Sequence, residues 1–241
     1  VYSGSIMVSM AESKRGEVPN FTGGEAAAIT QQGNPYVFRT AFGQSTSFPK
    51  LAKYINSKAK TLAVIYVNND FGKGGRDTLA KLLDGTSTKV VADISTDAGQ
   101  VDFSAAVLKA KQSNADAIFA YTNEEESARL LRELKKQGYK KPVLGETVLT
   151  SQKVIELAGD AANGAIAHVG LTADAPQVGV KKFDAAFQKE FGTILTTGSA
   201  KEFAQAAKSF GTDMGTYAKA QRAFLSSGNQ AASTQQKFIG Q

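Results

Sequence analysis

Glycines and a lysine follow an apolar run in YVNNDFGKGG, residues 66–75, which suggests a phosphate-binding loop. Backbone N–H groups can approach an anion where glycines lie between a strand and a helix N-terminus. However, a P-loop needs Ser or Thr directly after its lysine, and Lys73 is followed by Gly74. A dinucleotide-binding loop needs a third glycine where Asp77 stands. The spacing therefore disfavours nucleotide binding and favours a strand that turns into a helix.

Residues for a nucleophile–base pair are scarce in this sequence. His168 is the only histidine and lies within an apolar run, which favours a packed or hydrogen-bonded imidazole over a catalytic base. No serine stands in a G-x-S-x-G pattern. The lack of cysteine removes thiolate nucleophiles and cysteine metal sites. We predict a protein that is not an enzyme and that uses no metal or cofactor.

Three consecutive glutamates, Glu124, Glu125 and Glu126, offer ligands for a hard cation. At the start of a helix, carboxylates also stabilise the positive end of the helix dipole, and this structural role is the favoured interpretation of the cluster. One of the three remains a candidate for pointing inward to a ligand.

Short apolar runs alternate with amphipathic stretches between about residues 60 and 172, which is the pattern of β-α-β units. The run TLAVIYV, residues 61–67, is apolar on both faces, as a strand is when helices cover both sides of a parallel sheet. We predict an α/β fold with doubly wound parallel sheets. The strands are predicted at residues 61–67, 90–94, 116–121, 142–146 and 165–171.

The helices between these strands are predicted from apolar residues at three- and four-residue spacing. One helix carries Phe103, Ala106, Val107 and Ala110, and another ends before Gly138, a residue type that suits the left-handed position past a helix. Ligands of parallel α/β sheets bind beyond the carboxyl ends of the strands. We therefore expect the site at the segments that follow three strands, NNDFG, YTNEEES and GETVLTS.

The sequence on either side of this central part is organised differently. Ahead of it we predict a helix at residues 5–16, strands at 17–21 and 36–40 around a glycine-rich loop, and a helix at 48–58. From about residue 193 the chain is rich in Ala, Gln, Ser and Lys, which predicts amphipathic helices without strands.

The charge distribution argues against nucleic-acid binding, and the hydropathy argues against a membrane span. The formal charge of +6 comes from 28 basic and 22 acidic residues spread along the chain, which indicates a solvated surface and not a nucleic-acid footprint. No apolar run has the length of a membrane span, and the N-terminus lacks the pattern of a signal peptide. We expect a soluble chain that binds no nucleic acid.

Five segments, taken in order, resemble the type I periplasmic binding proteins of the leucine/isoleucine/valine family, the solute receptors of ABC importers. They are GNPYVFRT (33–40), KTLAVIYVNNDFGKG (60–74), DFSAAVLKAKQSNADAIFAY (102–121), LLRELKKQGYKKPVLGE (130–146) and KKFDAAFQKEFG (181–192). The resemblance implies two α/β lobes joined by crossing strands, with one small solute bound between them by hinge closure.

The resemblance also leads us to expect an incomplete fold. The family begins with first strands of its N-terminal lobe that have no counterpart here, and residues 193–241 do not resemble its usual return to that lobe. We expect residues 1–45 to be a remnant of the N-terminal lobe and residues 46–172 to form an α/β ligand-binding lobe. Residues 173–241 are expected to form a helical C-terminal segment.

Nine ligand-binding residues follow from the resemblance by position. Ser3 and Ser5 lie where a helix N-terminus meets the solute, and the loop with Thr22, Gly23 and Glu25 grips the carboxylate and amine of an amino acid. Phe71 covers the ligand, Asn123 and Glu124 belong to the loop after the next strand, and Glu146 pairs with the ammonium group. They are Ser3, Ser5, Thr22, Gly23, Glu25, Phe71, Asn123, Glu124 and Glu146. Each also has a structural interpretation: helix capping for the serines, turn formation for Thr22 and core packing for Phe71.

The resemblance implies an extracytoplasmic, periplasmic receptor that presents a branched-chain amino acid or similar small polar solute to an ABC permease in the membrane. We expect it to act as a monomer. Two alternatives stay open: an enzyme or nucleotide-dependent regulator on the same scaffold, and a sensory ligand-binding domain.

Overall fold

The computed structural model describes residues 3–170 and 176–191, and the chain divides after Gly170 into two compact units. In chain order the elements are α1 (Ser3–Arg15), β1 (Asn20–Thr22), α2 (Ala28–Gln31), β2 (Val37–Arg39), α3 (Gln44–Lys58), β3 (Thr61–Val67), α4 (Asp70–Leu83), β4 (Lys89–Thr96), α5 (Ser104–Gln112), β5 (Ala117–Tyr121), α6 (Glu124–Lys136), β6 (Val143–Gly145), α7 (Gln152–Ala158), β7 (Ile166–Ala167) and α8 (Val178–Phe191). Short 3-10 turns lie at Thr147–Thr150 and Gly159–Ala162.

A five-stranded parallel sheet in the order β4-β3-β5-β6-β7 forms the centre of the first unit. Successive side chains of β3 point to opposite faces of the sheet. Ala63 and Ile65 pack into one core with α5, α6 and α7, while Leu62 and Val64 pack into a second core with α3 and α4. The predicted α/β fold with helices on both faces is confirmed.

The glycines after β3 let α4 begin close against the sheet. Asn69 caps this helix, because its side-chain oxygen accepts a hydrogen bond from Gly72 N–H at 2.9 Å. A Cβ atom on Gly72 would overlap the Val67 carbonyl, and one on Gly75 would overlap the Tyr121 ring. The interpretation of this stretch as a strand that turns into a helix is confirmed, and two of its glycines serve close packing.

A two-stranded parallel sheet, β1-β2, lies with α1 and α2 in the N-terminal part of the same unit. Its small core contains Ile6, Met10, Ala26, Ile29 and Val37. The predicted strand at 17–21 was placed too early. The chain leaves α1 through Glu17 in a left-handed conformation (φ 53°), and Val18 N–H donates back to Ser13 O, so pairing starts only at Asn20.

Strand β7 is shorter than the predicted strand at 165–171. It contains only Ile166 and Ala167, with His168 N–H donating to Gly145 O just beyond it, so His168 lies past the strand and not within it. Gly138 has the expected left-handed conformation (φ 68°) after α6. In the second unit the described element is α8, and the prediction for residues 193–241 lies outside the described residues. Among the helices of the described ranges, none combines the length and hydropathy that crossing a bilayer requires.

Candidate functional site

A cavity of about 310 Å³ lies at the carboxyl ends of β3, β5 and β6, where the N-terminal part faces the five-stranded sheet. This volume suits a small solute. Seven residues from five segments of the chain line it: Ser3, Gly23, Gly24, Glu25, Phe71, Glu124 and Val148. The structure thus brings together five of the nine residues expected from the sequence and adds Gly24 and Val148.

The loop that carries Glu25 is held by three side chains. Ser3 Oγ accepts a hydrogen bond from Ala26 N–H at 3.1 Å, and Thr22 Oγ1 accepts one from Gly24 N–H at 2.9 Å. Arg39 donates through its two terminal nitrogens to Glu25 O at 3.2 Å and to Ala26 O at 2.6 Å. Thr22 therefore stabilises the turn and does not line the cavity, while Ser3 both anchors the loop and contributes to the wall.

The Glu25 side chain lies on the wall and reaches towards the sheet. Its Oε2 accepts a hydrogen bond from the Tyr121 hydroxyl at 3.2 Å, and its carboxyl group also interacts with that of Glu146. Burial, followed by the charge of Glu146, raises the pKa of Glu25 to about 7, against opposing contributions from Tyr121 and Arg39. Burial and the nearby Glu25 in turn raise the pKa of Tyr121 well above its ordinary value.

Glu146 is only 3% exposed and, unlike Glu25, does not line the cavity. Its Oε2 accepts a hydrogen bond from Thr147 N–H at 2.6 Å, and its Oε1 is 3.1 Å from His168 Nδ1. The expected ammonium-binding acid is thus absent from the cavity lining, although it interacts with a residue that is part of it. His168 is the hydrogen-bonded imidazole that the sequence favoured.

Phe71 belongs both to the cavity wall and to the core. Its ring stacks on Tyr121 with 4.1 Å between the ring centroids and is 4% exposed. Gln44, which is fully buried, donates through Nε2 to Phe71 O at 2.9 Å and to the Tyr121 hydroxyl at 3.0 Å. Neither Tyr121 nor Gln44 was among the nine expected ligand contacts. Tyr121 does open the segment YTNEEES at which the site was expected, because it is the last residue of a buried strand.

Two further expected residues lie away from the cavity lining. Ser5 is exposed on α1, because it lies two positions after Ser3 and therefore points about 200° away from it around the helix. Asn123 is buried, and its Nδ2 donates to Glu126 Oε1 at 3.0 Å. Both were named through the resemblance as ligand contacts, and the structure does not bring them to the wall.

The three consecutive glutamates form the first turn of α6, as the helix-dipole interpretation requires. Glu126 is buried and accepts a hydrogen bond from Gly99 N–H at 2.7 Å, whereas Glu125 forms ion pairs with Arg129 and Lys153. Glu124 lines the cavity. Within residues 3–170 and 176–191, no group of three or more acidic or histidine side chains is arranged to hold a metal ion.

Comparison with known proteins gives one family and many similar folds. The sequence profile described as periplasmic binding protein matches residues 7–215. The Leu/Ile/Val-binding protein homolog 1 of Brucella suis is 27% identical over 216 residues, which cover 87% of this chain and 58% of that protein. The chain therefore spans less than two thirds of the length of this relative.

Solved structures show the same fold at low sequence identity. A periplasmic binding protein type 1 from Bordetella pertussis has a TM-score of 0.75 and 21% identity, with 83% of this chain and 56% of that one covered. An ABC transporter solute-binding protein from R. palustris in complex with benzoate has a TM-score of 0.70 and 18% identity, with 80% and 54% covered. At these identities the likeness is one of fold.

Proposed function

The chain belongs to the periplasmic binding protein family, and from that premise we propose that it is the solute receptor of an ABC importer, binding a branched-chain amino acid or a similar small polar solute in its cavity. Similarity to a Leu/Ile/Val-binding protein homolog supports the amino-acid class. We place the receptor outside the cytoplasm, in the periplasm, acting as a monomer with a membrane permease as its partner and no nucleic acid.

The observation that carries this proposal is the convergence of distant chain segments on one cavity at the carboxyl edge of a parallel sheet. Such an edge is where open α/β sheets bind small ligands, and here the wall combines polar groups with apolar surface. The family resemblance predicts five of the lining residues as ligand contacts: Ser3, Gly23, Glu25, Phe71 and Glu124.

The chemistry of the wall suits a zwitterion. The Ser3 hydroxyl accepts from Ala26 N–H and can still donate its own proton to a ligand carboxylate. Glu25 supplies a carboxyl group for an ammonium group, with Glu146 behind it. Phe71 and Val148 supply apolar surface for an aliphatic side chain.

The proposed lobes meet at this cavity. We assign residues 1–45 to one lobe and residues 46–172 to the other, with residues 173–241 as a helical segment. Closure of the two lobes over a solute would bury its polar groups against Glu25 and Ser3, and hinge closure of this kind is a common way for binding proteins to hold a ligand.

The proposal is tested by thermal-shift titration of the 241-residue chain with leucine, isoleucine, valine, glutamate, urea and benzoate. A ligand that binds only the folded state raises its stability by about 2.7 kcal/mol at a hundred times Kd. We expect saturable stabilisation by leucine, isoleucine or valine.

A matched control for this titration is Val101→Ala, since Val101 is 74% exposed and does not line the cavity. This variant should show the same ligand-dependent shift as the unmodified chain. Cooperative melting without a shift for any of the six solutes would contradict the proposed function.

A further inference from the structure

A second cavity, of about 480 Å³, lies at the amino edge of the five-stranded sheet, opposite the edge that carries the solute cavity. The strand residues in its wall include Val143 and Ile166, the first residues of β6 and β7. The C-terminal half of α6 and the segment 160–165 contribute the rest. This space, which we call the amino-edge cavity, has a volume typical of small-molecule sites.

Small residues keep the amino-edge cavity open. After α7 the chain passes through Gly159 and Gly164, both with positive φ (56° and 84°), and between and after them Ala161 and Ala165 line the cavity. Both alanines are partly buried against the core that α5, α6 and α7 share. Because a methyl group fills little of the space between this segment and α6, a volume remains that larger side chains would occupy.

The floor of the amino-edge cavity is apolar. Leu131 and Leu134 of α6 line it from the core and are 2% and 3% exposed, whereas Ile166 of β7 is 44% exposed. Covering such apolar surface removes it from water and is favourable. The floor therefore suits the apolar body of a ligand.

The rim carries more positive than negative charge, with Lys135, Lys140 and Lys141 against Asp160. Lys141 is committed to the fold, because its Nζ lies 2.8 to 3.0 Å from three oxygens in the turn after α5. Lys135 Nζ is 3.7 Å from Asp160 Oδ2. Lys140 forms no ion pair or hydrogen bond within residues 3–170 and 176–191. Its amine is thus the cation that an anionic ligand can use.

Tyr139 adds a hydrogen-bond donor to the same wall. The chain turns after α6 through Gly138, and Tyr139 N–H donates back to Leu134 O at 2.9 Å, which fixes the tyrosine against the helix end. Its hydroxyl is buried and has no hydrogen-bond partner among the described residues. Burial, followed by the charge of Asp116, raises the pKa of Tyr139 to about 12, so the hydroxyl keeps its proton. An unpaired buried donor is destabilising, and a ligand oxygen would give it an acceptor.

These features together select one class of ligand. A neutral apolar molecule would leave the Lys140 amine and the Tyr139 hydroxyl without a partner. An inorganic anion would leave the apolar floor uncovered. A carboxylate with an apolar body satisfies both parts of the wall, since a carboxylate accepts hydrogen bonds from an ammonium group and a hydroxyl at the same time.

We propose that the amino-edge cavity is a second small-molecule site that binds a monocarboxylate with a short aliphatic body. The carboxylate binds the Lys140 amine and the Tyr139 hydroxyl, and the aliphatic body covers Ile166 and the rest of the floor. This inference goes beyond the proposed function and does not depend on it, because among the described residues the two cavities share no lining residue.

The site is located by a two-dimensional ¹⁵N NMR titration of the 241-residue chain with hexanoate. We expect saturable shifts at the amides of Tyr139, Ala161 and Ala165. Hexanamide has the same body without the charge and should bind about three- to fivefold more weakly, the effect of one exposed ion pair. Shifts confined to Gly24 and Glu25, no saturable shift, or equal binding of the two probes would each overturn the proposal.

Two substitutions test the polar contacts. Lys140→Gln should weaken hexanoate binding about three- to fivefold, whereas Lys109→Gln, the same change at an exposed lysine on α5, should not alter it. Tyr139→Phe should weaken binding about fivefold without lowering the melting temperature of the ligand-free chain, because the hydroxyl has no partner to lose. Unchanged hexanoate affinity in both the Lys140 and the Tyr139 variants would overturn the proposal.

A third substitution tests the volume of the amino-edge cavity. Ala161→Leu places a larger side chain in the wall and should abolish hexanoate binding. Ala105→Leu, at an exposed position of α5, is the matched control and should bind as the unmodified chain does. Full binding by a folded Ala161→Leu chain would overturn the assignment of the cavity. If this variant fails to fold, the decision rests on Lys140→Gln, whose site is exposed.

Addition of leucine separates this inference from the proposed function. Leucine is expected at the amides of Gly24 and Glu25, and at saturation it should leave the hexanoate shifts at Ala161 and Ala165 unchanged. Displacement of hexanoate by leucine would overturn the second site and support the first. Hexanoate binding at the amino edge by a chain that binds no leucine, isoleucine or valine would support this inference and count against the proposed amino-acid ligand.

Discussion

The N-terminal part and the five-stranded lobe contribute to the same cavity but are stabilised very differently. In the lobe, β3 and β5 are buried between two cores, and residues such as Phe119 and Leu62 are fully inaccessible. The N-terminal part has a core of five residues, and its β1-β2 sheet exposes Phe21 and Phe38. A small core contributes little stability of its own. The N-terminal part therefore depends on its contacts with the lobe.

Hydrogen bonds at the cavity are among those contacts. Gln44 and Tyr121 connect to Glu25, and residues 25 and 121 are 96 positions apart in the chain. The lobe therefore positions its part of the cavity wall by hydrophobic packing, whereas the Glu25 loop is positioned by hydrogen bonds. Ligand binding is thus expected to stabilise the N-terminal part more than the lobe.

The largest effect is expected from Phe119→Ala, which tests the hydrophobic packing of the lobe. Phe119 is fully buried and packs against Phe48 and Tyr121, with ring centroids 6.0 and 5.6 Å away. Removal of such a ring leaves a cavity and lowers the free energy of unfolding by about 3 to 5 kcal/mol. Urea denaturation followed by circular dichroism measures this loss, and a loss below 1 kcal/mol would contradict the two-core description.

Gly75→Ala tests the close contact between α4 and β5. The added Cβ would overlap the Tyr121 ring, so the substitution should cost about 1 to 3 kcal/mol even though alanine is the better helix former. Gly4→Ala in α1 is the matched control, because a Cβ there has nothing within 4 Å. Chemical denaturation of both variants should show a loss for Gly75→Ala only, and equal stability would mean that Tyr121 moves aside without cost.

Gln44→Ala tests the hydrogen-bonded side of the cavity, because it removes the bond that orients the Tyr121 hydroxyl towards Glu25. The variant removes the two hydrogen bonds that Gln44 donates to the Phe71 carbonyl and the Tyr121 hydroxyl, and each such bond contributes about 0.5 to 1.5 kcal/mol. Hydrogen exchange should show faster exchange at Gly24 and Ala26, while amides of β3 stay protected. Uniform acceleration throughout the lobe would show that Gln44 supports the core and not the loop.

Phe21→Ala should have the smallest effect and forms a matched pair with Phe119→Ala. Phe21 is 70% exposed and stacks on Phe38 across the β1-β2 sheet, with 5.2 Å between the ring centroids. Loss of an exposed cross-strand pair costs roughly 0.2 to 1 kcal/mol. Denaturation monitored as for Phe119→Ala measures it. A loss as large as that of the buried ring would mean that the N-terminal part is far more tightly coupled to the lobe than its small core indicates.

The central elements, and the edge of the sheet at which the cavity lies, could be predicted from the sequence alone. The strand at 61–67 was predicted with the bounds that β3 has, because a continuous apolar run between polar segments is a local property. The α4 start and the acidic first turn of α6 were likewise readable, since capping and dipole effects act within one helical turn. The boundaries of β1 and β7 were not, because strand length at an edge depends on the partner strand.

Which polar side chains meet could not be predicted in this way, because it depends on the tertiary structure. Ser3 and Ser5 look equivalent in the sequence, yet Ser3 lines the cavity and Ser5 is exposed. Glu25 and Glu146 were both expected at the ligand, but Glu25 lines the cavity and Glu146 does not, and the hydroxyl that reaches Glu25 comes from Tyr121, which Gln44 holds by a hydrogen bond. Such contacts join segments far apart in the chain, so they depend on how the N-terminal part docks against the lobe, and no local pattern of residues specifies that.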